Sequence, residues 1–165
     1  MQSLWRRLPG GAVCTPFQTP GFLDAFQQTM LIGVGGKFTV CEFRRGGTTT
    51  PLLLIPVLTR QRGPVRIASM PDLALADQSA PVLSRAYDIP EDHFPAIWSS
   101  FLDTLTDADV LDFYNIPPMV QQQRNPLHQH GGTDFVDPQL KLEMTDEAVI
   151  SVWRRKSVFK ELRSK

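Results

Sequence analysis

Cysteine is scarce in this chain: Cys14 and Cys41 are the only two. Two thiols build neither a disulfide framework nor, by themselves, a zinc site. Their scarcity points to a reducing, cytoplasmic setting. Long apolar runs are missing as well. The strongest, residues 52–58, is interrupted by Pro56, whereas a membrane-spanning helix needs about 20 apolar residues. Arg6 and Arg7 are followed by Pro9, Gly10 and Gly11, not by the apolar stretch of an export signal. No lipidation motif is present. An excess of one charge is lacking too, since 17 basic residues balance 17 acidic ones. Such a chain has no overall field to draw it to nucleic acid or to an anionic membrane. There is no internal repeat and no low-complexity tract. There is also no Gly-x-Ser-x-Gly elbow and no cysteine paired with a plausible histidine, which removes the common nucleophile arrangements.

What is present is a globular composition. The 165 residues, 42% hydrophobic and 21% charged, suit one domain that buries a core without metals or cross-links. Residues 1–18 read as an irregular lead, with Pro9, Gly10, Gly11 and Pro16. A helix follows, capped by Thr19 with Pro20 at its first position. Phe22, Leu23, Phe26 and Met30 lie at helical spacing, and Gly33, Gly35 and Gly36 end the run. Residues 37–44 alternate as a strand, with Phe38, Val40 and Glu42 on one face and Thr39, Cys41 and Phe43 on the other. Arg45, Gly46 and Gly47 supply the turn into a nearly continuous apolar strand, residues 52–60. Pro56 within it predicts a bulge or an edge position. A short third strand covers residues 65–69. Residues 70–90 form a long connection, and such connections are often functional.

The clearest periodicity comes next. Phe94, Ile97, Trp98, Phe101, Leu102 and Leu105 mark a helix over residues 90–106, with Pro95 disturbing its start. Residues 110–116 read as a strand stopped by Pro117 and Pro118, and residues 121–130 as a polar loop. A last short strand is expected at residues 135–144. A closing basic amphipathic helix is expected at residues 145–165, with Val149, Val152, Trp153, Phe159 and Leu162 on its buried side. Antiparallel strands in succession, then a helix feeding another strand, predict an α/β (α+β) fold. Its mixed, largely antiparallel sheet would be flanked by helices.

Three stretches carry a resemblance. They are Thr15-Pro16-Phe17-Gln18-Thr19-Pro20-Gly21-Phe22-Leu23, Ala76-Asp77-Gln78-Ser79-Ala80-Pro81-Val82-Leu83, and Arg124-Asn125-Pro126-Leu127 after Asp109-Val110-Leu111-Asp112-Phe113. With residues 54–62 between them, the chain resembles the acetyltransferases linked to cellulose biosynthesis, the CelD/BcsL group. That group lies within the GNAT superfamily and is related to FemAB-type transferases. The sequence departs from the group at Gln78, where an aromatic residue is expected. The resemblance spans nearly the whole chain and implies a single N-terminal GNAT-like lobe over residues 1–165. The family is typically more than twice this length, and its acetyl-CoA half follows a basic helix like residues 152–165. The resemblance therefore implies acetyl-CoA as cofactor, held by a C-terminal lobe that this chain lacks. It implies N-acyl transfer in polysaccharide or cell-envelope synthesis, with this chain alone inactive. The partner would be that missing lobe, or a second copy paired through the helix at residues 145–165. The competing expectation is a non-catalytic protein-binding or dimerising module.

Acetyl-CoA binding in this superfamily uses Arg/Gln-x-x-Gly-x-Gly/Ala at a helix N-terminus, where backbone N–H groups and the helix dipole meet the pyrophosphate. Arg7-Leu8-Pro9-Gly10-Gly11-Ala12 matches the letters. No strand precedes it and no helical periodicity follows, so it reads as a turn. Acyl transfer also needs a base or a path for the acceptor's proton. Asp77 and Asp112 are the carboxylate candidates, and His93, His128 and His130 the imidazoles. Asp77 sits beside Ser79 in the long connection, where it either faces a cleft or bonds its own turn. Asp112 is either a buried carboxylate or a solvated one. Asn125 either secures a turn before Pro126 or contacts substrate along with Asp77 and Ser79. His128-Gln129-His130 lacks a third metal ligand.

Overall fold

The computed structural model describes residues 1–73 and 75–128. The strand expected at residues 135–144, the helix expected at residues 145–165, and His130 lie outside the described residues.

The lead is not irregular. Gln2–Trp5 forms a short helix (α1) and Ala12–Val13 a short strand (β1). A 3-10 turn covers Pro16–Gln18. Trp5 and Leu8 are buried, and the Trp5 indole N–H donates to the Gln18 carbonyl at 2.9 Å. These apolar side chains order the segment by packing, despite its proline and glycine content.

Helix α2, Pro20–Val34, starts as expected. The Thr19 hydroxyl accepts from the Phe22 N–H, and Pro20 stands where no N–H is needed. Gly35, at φ 68°, ends the helix; only glycine takes that conformation without strain. Strand β2, Lys37–Arg44, pairs antiparallel with β3, Pro51–Arg62. Strand β4, Val65–Ser69, pairs antiparallel with β3 from Leu58 to Arg62. The long connection contains a strand that the sequence did not announce, β5, Val82–Ser84, which pairs with Leu53 and Leu54 of β3 and with β1. A 3-10 turn at Glu91–His93 then leads into helix α3, Phe94–Thr104. Strand β6, Val110–Asp112, lies parallel to β4. It is shorter than expected, because the backbone turns left-handed at Asn115, φ 52°. The predicted polar loop is instead a small hairpin of β7, Met119–Val120, and β8, Gln123–Arg124.

The architecture is thus a mixed α/β fold, with a largely antiparallel sheet and helices on its faces. Alternation along β3 assigns the two faces. Leu53, Ile55 and Val57 join Phe94 and Phe101 of α3 in one core, while Leu54 joins Trp5, Leu8, Leu23 and Val82 in the other.

Pro56 makes no bulge, and it stands at a local edge, because one side of β3 has no partner strand there. It lies inside β3, paired with Val40 of β2. The partners on the other edge of β3 stop on either side of it: β4 ends opposite Leu58, and β5 begins opposite Leu54. Strands β4 and β5 are two collinear halves of one strand. They are interrupted by an excursion, residues 70–81, at the point where β3 has a residue with no donor to offer.

Candidate functional site

The excursion places the candidate site. Strands β4 and β6 run parallel, and Ser69 stands opposite Asp112 at their shared carboxyl end. Crevices at the carboxyl ends of parallel strands are the usual ligand positions in α/β sheets. The loop after β4 and the loop after β6 leave from this end, and they are fastened to each other. The Ser79 N–H donates to the Asn115 carbonyl at 2.8 Å. The Asn115 side-chain amide reaches the Ala76 carbonyl at 3.5 Å.

At the centre of the fastening is a carboxylate absent from the sequence-based candidates. Asp72 is 2% exposed. One oxygen accepts from the Ser79 hydroxyl at 3.0 Å, and the other from the Tyr114 hydroxyl at 2.6 Å. Burying a carboxylate is costly unless donors surround it, and this one has a donor on each oxygen. Leu73 and Asn115, beside the two ends of the network, both have positive φ, 50° and 52°. Such backbone persists only where the surroundings enforce it. Gln18 joins from the N-terminal lead: its side-chain amide donates to the Gln78 carbonyl at 3.4 Å, and the Thr15 hydroxyl bonds its carbonyl oxygen.

The structure brings Asp77, Ser79 and Asp112 to the loops and strand end of this region, but it gives them different surroundings. Asp77 is exposed on the excursion, and Asp112 is exposed at the end of β6. Ser79 is fully buried, and its hydroxyl and N–H are used inside the protein. Asn125, 1% exposed, secures a turn. Its amide donates to the Pro117 carbonyl at 2.9 Å, and its side-chain oxygen accepts from the Leu127 N–H at 3.0 Å. The exposed His128 places Nδ1 2.9 Å from the Ile116 carbonyl. His93 is exposed and lines a cleft near the start of α3. Among the described residues no group of three His, Cys, Asp or Glu side chains could hold a metal.

The glycine turn that matches the coenzyme motif does not fit a pyrophosphate. A side-chain carbon on Gly10 would lie 2.9 Å from Ala86, so this backbone is already packed against protein. The Gly11 N–H donates to the Leu8 carbonyl at 3.0 Å, and the Pro9 and Gly11 carbonyls accept from Ala86 and Arg85. No helix opens there; β1 follows.

No family model matches the chain, and neither a curated protein nor a solved structure matches it.

Electrostatics supports the frame around the site. Asp109 accepts from the Arg66 backbone N–H at 2.7 Å and from its guanidinium at 3.3 Å, while its own N–H donates to the Arg66 carbonyl. This clamp starts the parallel pair β4·β6. The Arg66 N–H, and then its side chain, hold the Asp109 carboxyl below the usual aspartate range. Arg44, bonded to Glu42 at 2.5 Å, and then Arg7 hold the Glu42 carboxyl low in the same way. A carboxyl whose pKa is depressed by folding stabilises the native state above its unfolded pKa, about 4 for these groups. That contribution disappears as pH falls through the lower native value. Urea midpoints measured against pH should therefore decline below about pH 4, and Asp109→Asn should flatten part of that decline. Both cysteines are unpaired, and burial pushes both thiols up.

Proposed function

We propose that residues 1–165 form the N-terminal, acceptor-side lobe of a GNAT-type N-acyltransferase-like protein of the CelD/BcsL kind, serving polysaccharide or cell-envelope synthesis. One observation carries the reading. The excursion at residues 70–81 and the loop after β6 meet at the carboxyl end of the parallel pair, around a buried carboxylate, with Asp77 exposed on the same excursion. The excursion holds part of one of the three stretches that together carry the family resemblance, and β6 begins in another; a mixed sheet with flanking helices is in keeping with the lobe that the resemblance implies. In this reading the network around Asp72 fixes the loops, and Asp77 is the carboxylate assigned to an acceptor's proton. Unpaired cysteines suit work in the cytoplasm. No described helix is long and apolar enough to cross a membrane.

Acetyl-CoA, the cofactor the resemblance implies, has no fitting cradle among the described residues. Helices α2 and α3 are each entered from a 3-10 turn, not from a glycine turn after a strand. Titration calorimetry of the 165-residue chain with acetyl-CoA tests the reading. We expect no binding heat with a Kd of about 1 μM to 100 μM. Binding in that range would place the cofactor site within this chain and contradict the proposed division of labour.

A further inference from the structure

A cleft lies between the β2–β3 turn and the first turns of α3, lined by none of the residues of the Asp72 network, with a volume of about 320 Å³. That volume is at the small end of the range for ligand sites, about 300 to 1,000 Å³. Its walls are apolar: Phe43, Leu52, Ile89 and Ile97 line it, with Tyr87 beside them. Its polar boundary is one-signed. Arg44 and Arg45 line the cleft, and among the described residues no carboxylate does. The two arginines differ. Arg44 is bonded to Glu42 at 2.5 Å, so its charge is already matched. Arg45 has no ion-pair partner among the described residues. It sits in the exposed turn, held there by its carbonyl, which accepts from the Thr48 N–H and hydroxyl. A small apolar slot with one unmatched guanidinium is complementary to a ligand with an apolar body and a single anionic head.

We propose that this cleft binds a medium-chain alkanoate, with its carboxylate at Arg45 and its chain along Leu52, Ile89 and Ile97. A long-chain lipid would leave much of its chain outside a volume of about 320 Å³. A cationic amphiphile would place its head against Arg45. The inference is independent of the acyltransferase reading, because it rests on a different part of the fold.

Octanoate is the probe, with octyltrimethylammonium and acetate as controls, titrated into the full chain and followed by amide NMR shifts. Octanoate should give saturable shifts at Gly46, Tyr87, His93 and Ala96, with a Kd of about 1 mM or tighter. Octyltrimethylammonium should bind about tenfold more weakly, and acetate should not saturate. Arg45→Glu should weaken octanoate about tenfold while leaving shifts elsewhere in the spectrum unchanged. Ala96→Phe, at an exposed position on the cleft wall, should block the slot for both amphiphiles. The proposal is overturned by non-saturating octanoate shifts, by equal affinity for the cationic amphiphile, or by unchanged affinity in a folded Arg45→Glu protein.

Discussion

Phe101→Ala should lower the unfolding free energy by about 4 kcal/mol. Phe101 is fully buried. Its ring lies 5.9 Å from Trp98, 6.4 Å from Phe43 and 5.6 Å from Phe113, so it joins α3 to β2 and to the loop after β6. Truncation removes the largest apolar group at that junction and leaves a cavity that three elements would have to collapse. Leu102→Ala, one position along, should cost under about 0.5 kcal/mol, because Leu102 is 45% exposed. Urea denaturation of the two variants measures the contrast. Equal losses would mean that α3 is rotated from the phase described here.

Asp72→Ala should cost about 3 kcal/mol. The substitution removes little apolar packing, so the effect is electrostatic in origin. It leaves the buried Ser79 hydroxyl and the part-buried Tyr114 hydroxyl without their acceptor. Each hydroxyl then carries its own desolvation penalty, and the positive-φ backbone at Leu73 and Asn115 loses the contacts that enforce it. Ser79→Ala and Tyr114→Phe should each cost about 1 kcal/mol, since a single neutral donor is lost from a charged acceptor. The double variant Asp72→Ala/Tyr114→Phe should then cost less than the sum of its parts by at least about 0.5 kcal/mol, as groups in one network do. Additive losses would mean that the 2.6 Å contact carries no energy.

The sequence was most legible where structure is local. Helix α2 begins and ends on signals within a few residues, Thr19-Pro20 and Gly35, and β2 alternates with nothing to override it. The strands β2 to β4 and helix α3 followed from period and turn residues for the same reason. Leu102 shares the helical spacing of Phe94 and Phe101 yet is exposed, because the apolar stripe of α3 is wider than the face its neighbours cover. Strand β5 was hidden by its shortness: three residues, Val82–Ser84, carry no period, and only long-range pairing with β3 and β1 defines them. The N-terminal lead and the β7–β8 hairpin were hidden likewise, being ordered by packing and by bonds such as Gln123 to the Ser84 carbonyl. At the candidate site, the loop could be read from the prolines and the length of the connection. Asp72 could not. Its decisive partner, Tyr114, lies 42 residues away in sequence, and Pro71-Asp72 looks locally like any turn. Ser79 and Asn125 were visible as polar loop residues, but whether such groups face a ligand or the interior depends on tertiary contacts.

Amide hydrogen exchange at Ser79 tests most directly whether the two loops act as one fastened unit. The wild-type amide, bonded to the Asn115 carbonyl at 2.8 Å, should be protected, whereas in Asp72→Ala it should exchange like an open loop while Leu54 and Val57 in β3 keep their protection. A Ser79 amide that exchanges freely in the wild type, or one that stays protected without Asp72, would contradict the account.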